Sequence, residues 1–273
     1  MSRNKKRVAA NVPQVASIPP VEAPAQSSPF NFVVPTEMVD LPSKGQYYPE
    51  GHPLHHADSI EIKHLTAKEE DILTSQSLIK KGLAINKVLE SIIVDKRIKV
   101  QDLLIGDKNA LVVASRIYGY GAEYKVNLTC GECENEFQAV VDLNDFSSRE
   151  IELSDKIEVT DNNTFIITLP RSEFVVEFRL LTSKDEASVS KAVNKGTTNL
   201  LKLIIVSING QTDTFYVERA LGALPILDAS VLKKVYANVM PDIDMSCNVQ
   251  CTSCGEESQM EVPLTAEFFW PDL

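Results

Sequence analysis

The stretches "KVNLTCGECENEFQAVVDL" (residues 125–143) and "DMSCNVQCTSCGEESQMEVPL" (residues 244–264) each set two cysteines three positions apart between strand-like flanks. A CxxC turn between short strands lets two thiolates converge on one metal at about 2.3 Å, while backbone N–H groups steady their charge. One such turn offers two ligands, and a closed structural zinc site needs two turns. The pattern therefore predicts a single zinc-ribbon-like site made of Cys130, Cys133, Cys251 and Cys254, holding one structural zinc ion. A thioredoxin-type CxxC would open a helix after a strand; strands flank both motifs, so a redox role is the weaker reading. Gly255 follows the second motif at the point where the turn favours positive φ. The first motif has Glu134 there and Gly131 inside the turn, which makes it the poorer match. Cys247 stands off the spacing and reads as a strand residue rather than a ligand.

The long gap between Cys133 and Cys251 is natural if a duplicated unit folds back on itself, and the chain does run the same course twice. "SIEIKHL" alternates as a strand should, with Ile60, Ile62 and His64 on one face. Thr66 then reads as a helix N-cap, with Glu69 completing a capping box. The segment "VVEFRLLTSKDEASV" (175–189) follows "SIEIKHLTAKEEDIL" (59–73), pairing Ile62 with Phe178, Thr66 with Thr182 and Glu69 with Asp185. "LLKLIIVSI" (200–208) follows the amphipathic "VLESIIVDK" (88–96). "ILDASVLKKVYANV" (226–239) follows "LIGDKNALVVASRIYG" (104–119), a helix expected to be N-capped by Asp107 and closed by Gly119 or Gly121. Asp107 and Asp228 share with the two cysteine pairs an offset of 121 residues.

The expected fold is therefore α+β, an internally duplicated strand-helix-helix-knuckle unit whose two knuckles join in one site. Residues 1–36 form a proline-rich tail and 37–58 an ordered, turn-rich loop; 59–160 and 161–273 are the two repeats, with the strand "NTFIITLP" (163–170) at their join.

Composition limits what such a protein does. With 44% hydrophobic and 24% charged residues the chain can bury a sizeable core. A net charge of −11 and a pI near 4.9 oppose a general nucleic-acid coat, which needs basic surface to displace counterions. No run approaches the roughly 18 apolar residues that span a bilayer. The basic cluster Arg3, Lys5, Lys6, Arg7 is followed by no apolar core, so it is not a secretory signal. The chain reads as made and kept in a reducing cytoplasm, where paired cysteines point to metal before disulfide. His52, His55, His56 and His64 fall close together, but exposed loop histidines are the better reading than a second metal site. No phosphate-binding glycine loop, nucleophile elbow or HExxH motif is present, and nothing calls for catalysis.

Several stretches together resemble the baseplate proteins of T-even-type contractile-tailed bacteriophages. They are "LPSKGQYYPEG" (41–51), "LTAKEEDILTS" (65–75), "LIKKGLAINKVLESIIVD" (78–95) and "LLIGDKNALVVASRIYGYGAEYKV" (103–126), followed by the first CxxC. The resemblance is dense over 41–143 and thinner beyond. It implies a non-enzymatic structural or assembly protein of the baseplate hub, present in the host cytoplasm during assembly and then in the virion tail. Its implied partners are other tail and baseplate proteins, not nucleic acid, membrane or a small-molecule substrate.

Such a role needs adhesive surface. Leu41, Tyr47 and Tyr48 in the turn-rich loop are one candidate, and Phe268, Phe269 and Trp270 near the C-terminus another. The aromatic cluster could equally seal the core from within. The tail is a third candidate. The alternative from a different class is a zinc-ribbon nucleic-acid-binding regulator using Lys80, Lys81 and Arg116. Against it, Glu132, Glu134, Glu136, Asp142, Glu256, Glu257 and Glu261 rim the knuckles and would repel phosphate.

Overall fold

The segment "IGDKNALVVASRIYGY" forms the helix against which the other elements are laid. In the computed structural model it spans Ile105–Tyr120 (α4), and ten of its sixteen residues are buried. The structure describes residues 33–149, 151, 153–186, 197–264 and 266–269. As expected, Gly121 ends the helix, with φ at +90°.

Its start differs from expectation. Leu104 holds the cap position and Asp107 is the third helical residue, wholly buried. The Asp107 carboxylate accepts the Ser43 N–H at 3.0 Å, the Ser43 hydroxyl at 2.6 Å and the Tyr48 hydroxyl at 2.7 Å. The Leu104 N–H donates in turn to the Tyr48 oxygen at 3.1 Å. Burial pushes the Asp107 carboxyl above its ordinary range despite these donors, and pushes the Tyr48 phenol up as well. The carboxylate is thus used for tertiary attachment: it fastens the "LPSKGQYY" loop to the central helix.

That loop is preceded by a strand the sequence did not reveal. β1 (Thr36–Asp40) pairs antiparallel with β2 (Ser59–Lys63), so the boundary expected at residue 36 falls on the first strand residue; residues 1–32 of the proline-rich tail lie outside the described residues. Ile60 and Ile62 point inward as expected, and His64, just past the strand, stacks on Tyr118. Gly45 turns at φ +68°, where a Cβ would lie 2.3 Å from the Ala57 nitrogen.

Three helices follow β2. They are α1 (Ala67–Leu73), α2 (Gln76–Lys80) and α3 (Ala84–Ile92). The capping box at Thr66 and Glu69 is present, and the other Glu69 oxygen accepts the Ser91 hydroxyl at 2.6 Å, tying α1 to α3. Just past α3, Ile93 bridges Ile62 antiparallel.

The C-terminal half carries a four-stranded antiparallel sheet in the order β6 (Ile157–Val159), β7 (Phe165–Thr168), β8 (Val175–Phe178), β9 (Ile205–Ile208). Beside it run α5 (Thr197–Ile204), α6 (Thr214–Gly222) and α7 (Ile226–Val239). Several contacts match those of the N-terminal half. Asp185 accepts the Thr182 N–H and hydroxyl as Glu69 does at Thr66. Burial would raise the Asp185 carboxyl, but the Arg179 guanidinium and Thr182 hold it at about 2. Phe178 pairs with Ile205 as Ile62 does with Ile93. Asp228, the third residue of α7 and wholly buried, accepts the Arg171 and Ser172 N–H groups at 2.9 and 2.8 Å. Those donors follow Leu169 and Pro170, as Ser43 follows Leu41 and Pro42.

The halves meet where β5 (Ser147–Ser148) pairs antiparallel with β10 (Ile243–Asp244), and again where the chain enters α4. The Ile105 N–H donates to the Leu181 carbonyl at 3.2 Å and the Ser183 N–H to the Leu103 carbonyl at 2.8 Å. Lys108 pairs with Glu186 beside them. Gly106 admits the Pro241 backbone so closely that a Cβ would stand 1.8 Å from its carbonyl oxygen.

Replacing Asp107 by Ala strands three buried donors and should cost about 3–5 kcal/mol, against about 1–2 kcal/mol for Tyr48→Phe. Urea denaturation of the two variants checks the ratio.

Candidate metal centre

The first cysteine pair caps the hairpin of β3 (Glu123–Thr129) and β4 (Glu136–Asp142), in register from Glu123 opposite Asp142 to Thr129 opposite Glu136. Strict alternation buries Tyr124, Val126 and Leu128 on one strand and Phe137 and Val141 on the other. The second pair caps the shorter hairpin of β11 (Ser246–Gln250) and β12 (Glu257–Glu261).

The two turns are built alike. In the first, the Glu134 N–H donates to the Cys130 carbonyl at 3.0 Å and the Cys130 N–H to the Asn135 carbonyl at 3.0 Å. In the second, the Gly255 N–H donates to the Cys251 carbonyl at 2.9 Å and the Cys251 N–H to the Glu256 carbonyl at 2.8 Å. Gly255 has φ +76° and Glu134 φ +56°. The first motif, expected to be the poorer match, makes the same turn, with Glu134 adopting a left-handed conformation that favours glycine.

Tertiary packing brings all four sulfurs within 4.8 Å of one another. Across the two turns, Cys130 lies 3.8 Å from Cys254 and Cys133 3.7 Å from Cys251. A tetrahedral ion with metal–sulfur bonds of about 2.3 Å would require sulfur–sulfur edges of about 3.8 Å. Cys130 and Cys251 are buried, while Cys133 and Cys254 face solvent.

The acid–base setting also suits a cation. The N–H groups of Cys254 and Ser253 lower the Cys251 thiol to about 6. The Glu256 N–H favours the Cys254 thiolate too, but the neighbouring sulfurs, Cys133 foremost, outweigh it and push that thiol up to about 12. Sulfurs this close cannot all ionise beside one another unless a positive charge sits between them. Among the described residues these four cysteines are the group that could hold a metal ion.

The other singled-out residues lie elsewhere. Cys247 sits in β11 opposite Met260, outside the cluster. His52 stacks on Tyr48 with ring centroids 4.6 Å apart, and its Nδ1 accepts the Leu54 N–H; His55 Nδ1 meets the Tyr48 carbonyl at 2.8 Å.

The expected adhesive residues need correction. Leu41, Tyr48, Phe268 and Phe269 are at most 2% exposed, and Tyr47 is half-buried against the Phe165 ring. They are internal packing residues, because the loop and the C-terminal 3-10 turn (Ala266–Phe269) both close over the core; Trp270 lies outside the described residues. Arg116 is likewise unavailable to phosphate. Its buried guanidinium donates to the carbonyls of Phe268, Gly121 and Glu123 and lies over the Tyr120 ring. It pins the C-terminal turn to α4, a role that helical periodicity could not reveal. Lys80 and Lys81 are exposed, and so are all seven acidic residues rimming the two turns.

A family model described as "T4 bacteriophage base plate protein" matches residues 34–270. No curated protein and no solved structure matches the chain.

Glu134→Gly should raise stability by up to about 1 kcal/mol, and Gly255→Ala should lower it by about the same. Thermal unfolding of both variants tests whether the two turns share one backbone.

Proposed function

Because this chain belongs to the T4 bacteriophage base plate protein family, we propose that it is a non-enzymatic structural or assembly component of the baseplate hub of a contractile tail. It works through contacts with other tail proteins, first in the host cytoplasm and then in the virion. The family match over residues 34–270 carries this reading.

One zinc ion, held by Cys130, Cys133, Cys251 and Cys254, would staple two hairpins that lie more than a hundred residues apart. The donor set supports zinc: four thiolates at tetrahedral spacing suit a d10 ion with soft ligands. Four protein ligands also fill the coordination shell, so the ion would supply stability and leave no position for water or substrate. The acidic rim fits this staple better than a phosphate-binding ribbon.

The halves joined by the staple are read as an internal duplication. Support comes from the matched hairpins, the carboxylates of Glu69 and Asp185 accepting from Thr66 and Thr182, the bridges Ile62–Ile93 and Phe178–Ile205, the buried Asp107 and Asp228, and the two turns built alike. On that correspondence the repeats open at β1 and β7, so that each includes its Leu-Pro loop.

Mass spectrometry of purified tails and tail intermediates should find the protein together with other baseplate proteins; its absence from every tail species would overturn the proposal. The isolated chain should carry one zinc. Cys130→Ser and Cys251→Ser should each abolish zinc binding and cost at least about 3 kcal/mol, a fall in Tm of roughly 6–12 °C. A variant that kept both its metal and its Tm would exclude the shared site.

A further inference from the structure

One backbone contact between the two halves is made once, although the duplicated chain carries the groups for making it twice. At the occupied position Leu104 and Thr182 form an antiparallel bridge, flanked by the bonds Ile105 N–H to Leu181 and Ser183 N–H to Leu103. Leu103, Leu104, Leu181 and Ser183 are all nearly inaccessible to solvent. Ile105 corresponds to Ile226, and Thr182 to Thr66. The equivalent segments are therefore Leu224–Ile226, entering α7, and Leu65–Ala67, entering α1.

These segments are open. Among the described residues, the N–H groups of Ile226 and Ala67 and the carbonyls of Leu224 and Leu65 make no hydrogen bond. Ala67 is exposed, Ile226 is 89% exposed and Leu227 51%. Ile226 forms the rim of a groove of about 430 Å³ over Leu201, Leu221 and Leu224. A free N–H is ordinary at any helix start. These segments differ in carrying a matching donor and acceptor each, in the apolar surface beside one of them, and in an internal counterpart where the same pairing is satisfied and buried.

We propose that a second copy of this chain supplies the missing partner. Leu65–Ala67 of one copy lies antiparallel to Leu224–Ile226 of the next, with Ile226 N–H donating to Leu65 and Ala67 N–H to Leu224. This rests on the duplication read above. The contact is heterologous, so it propagates head to tail and closes into a ring or continues as a filament. Each chain carries a net charge of −11, so salt that screens the repulsion strengthens the association.

The test exploits the position of both donors. Ala67 and Ile226 are each the first residue of a helix, where proline is favoured; it removes the N–H in question, and at Ile226 the exposed side chain with it. Thr66 and Pro225 are extended, at φ −124°, ψ 172° and φ −55°, ψ 142°, which a following proline tolerates. Sedimentation velocity of the full chain should show concentration-dependent self-association. Ala67→Pro and Ile226→Pro should each keep the wild-type Tm and raise the dissociation constant by about tenfold. Mixed at concentrations between the intact and the weakened dissociation constants, the two variants should form dimers and little that is larger, because each retains one intact half of the contact. A wild-type chain that stays monomeric at all concentrations, prolines without effect, or a mixture that fails to restore dimers would each overturn the proposal. A monomeric chain that still loses its metal in both cysteine variants would sink the self-association and leave the duplication standing.

Discussion

A carboxylate with no accessible surface lies in the first turn of the central helix. Such a group is costly to bury unless its oxygens are fully engaged, and Asp107 meets the condition by accepting from Ser43 and Tyr48. The same bonds bring "LPSKGQYY" against α4, which places Leu41 and Tyr48 in the core and sets β1 beside β2. Asp228 serves α7 in the same way through Arg171 and Ser172. Much of the tertiary arrangement follows from two helices that each spend an acidic first-turn residue on a loop far away in sequence, where a surface helix would leave it to solvent and its own dipole.

Burial of Arg116 shows the complementary device. Its planar guanidinium reaches three carbonyls, including that of Phe268, so the C-terminal turn is held through backbone and the Phe268 ring is free to meet Tyr124 edge-on with centroids 5.0 Å apart. A cation used in this way is removed from the surface together with the aromatics it positions. Residues that looked adhesive, and one that looked able to bind phosphate, are therefore parts of the same internal seal.

The knuckles carry a different kind of constraint. Each turn is complete in itself, closed by its own backbone bonds, but neither sulfur pair makes a closed site. Completion depends on docking the halves, to which Leu103–Ile105 against Leu181–Ser183, Pro241 against Gly106, and Ser147–Ser148 against Ile243–Asp244 contribute. A metal at the four sulfurs would therefore report on the whole fold and not on one hairpin.

Read alone, the sequence determined the elements with local causes. The capping box at Thr66, the helix over 226–239, the end of α4 at Gly121, the inward face of β2 and the paired CxxC hairpins all depend on residues a few positions apart, whose propensities and spacing act within one turn or one hairpin. The convergence of four cysteines was legible too, because two half-sites of a tetrahedral ion imply each other. The tertiary structure alone decided the rest: that Asp107 serves Ser43 rather than its own helix, that "TEMVD" becomes a strand, that Arg116 and Phe268 lie inside, and that Leu104 meets Thr182 across the two halves. Each of these turns on which distant backbone group arrives within hydrogen-bonding range, and no local pattern of charge or hydrophobicity encodes that distance.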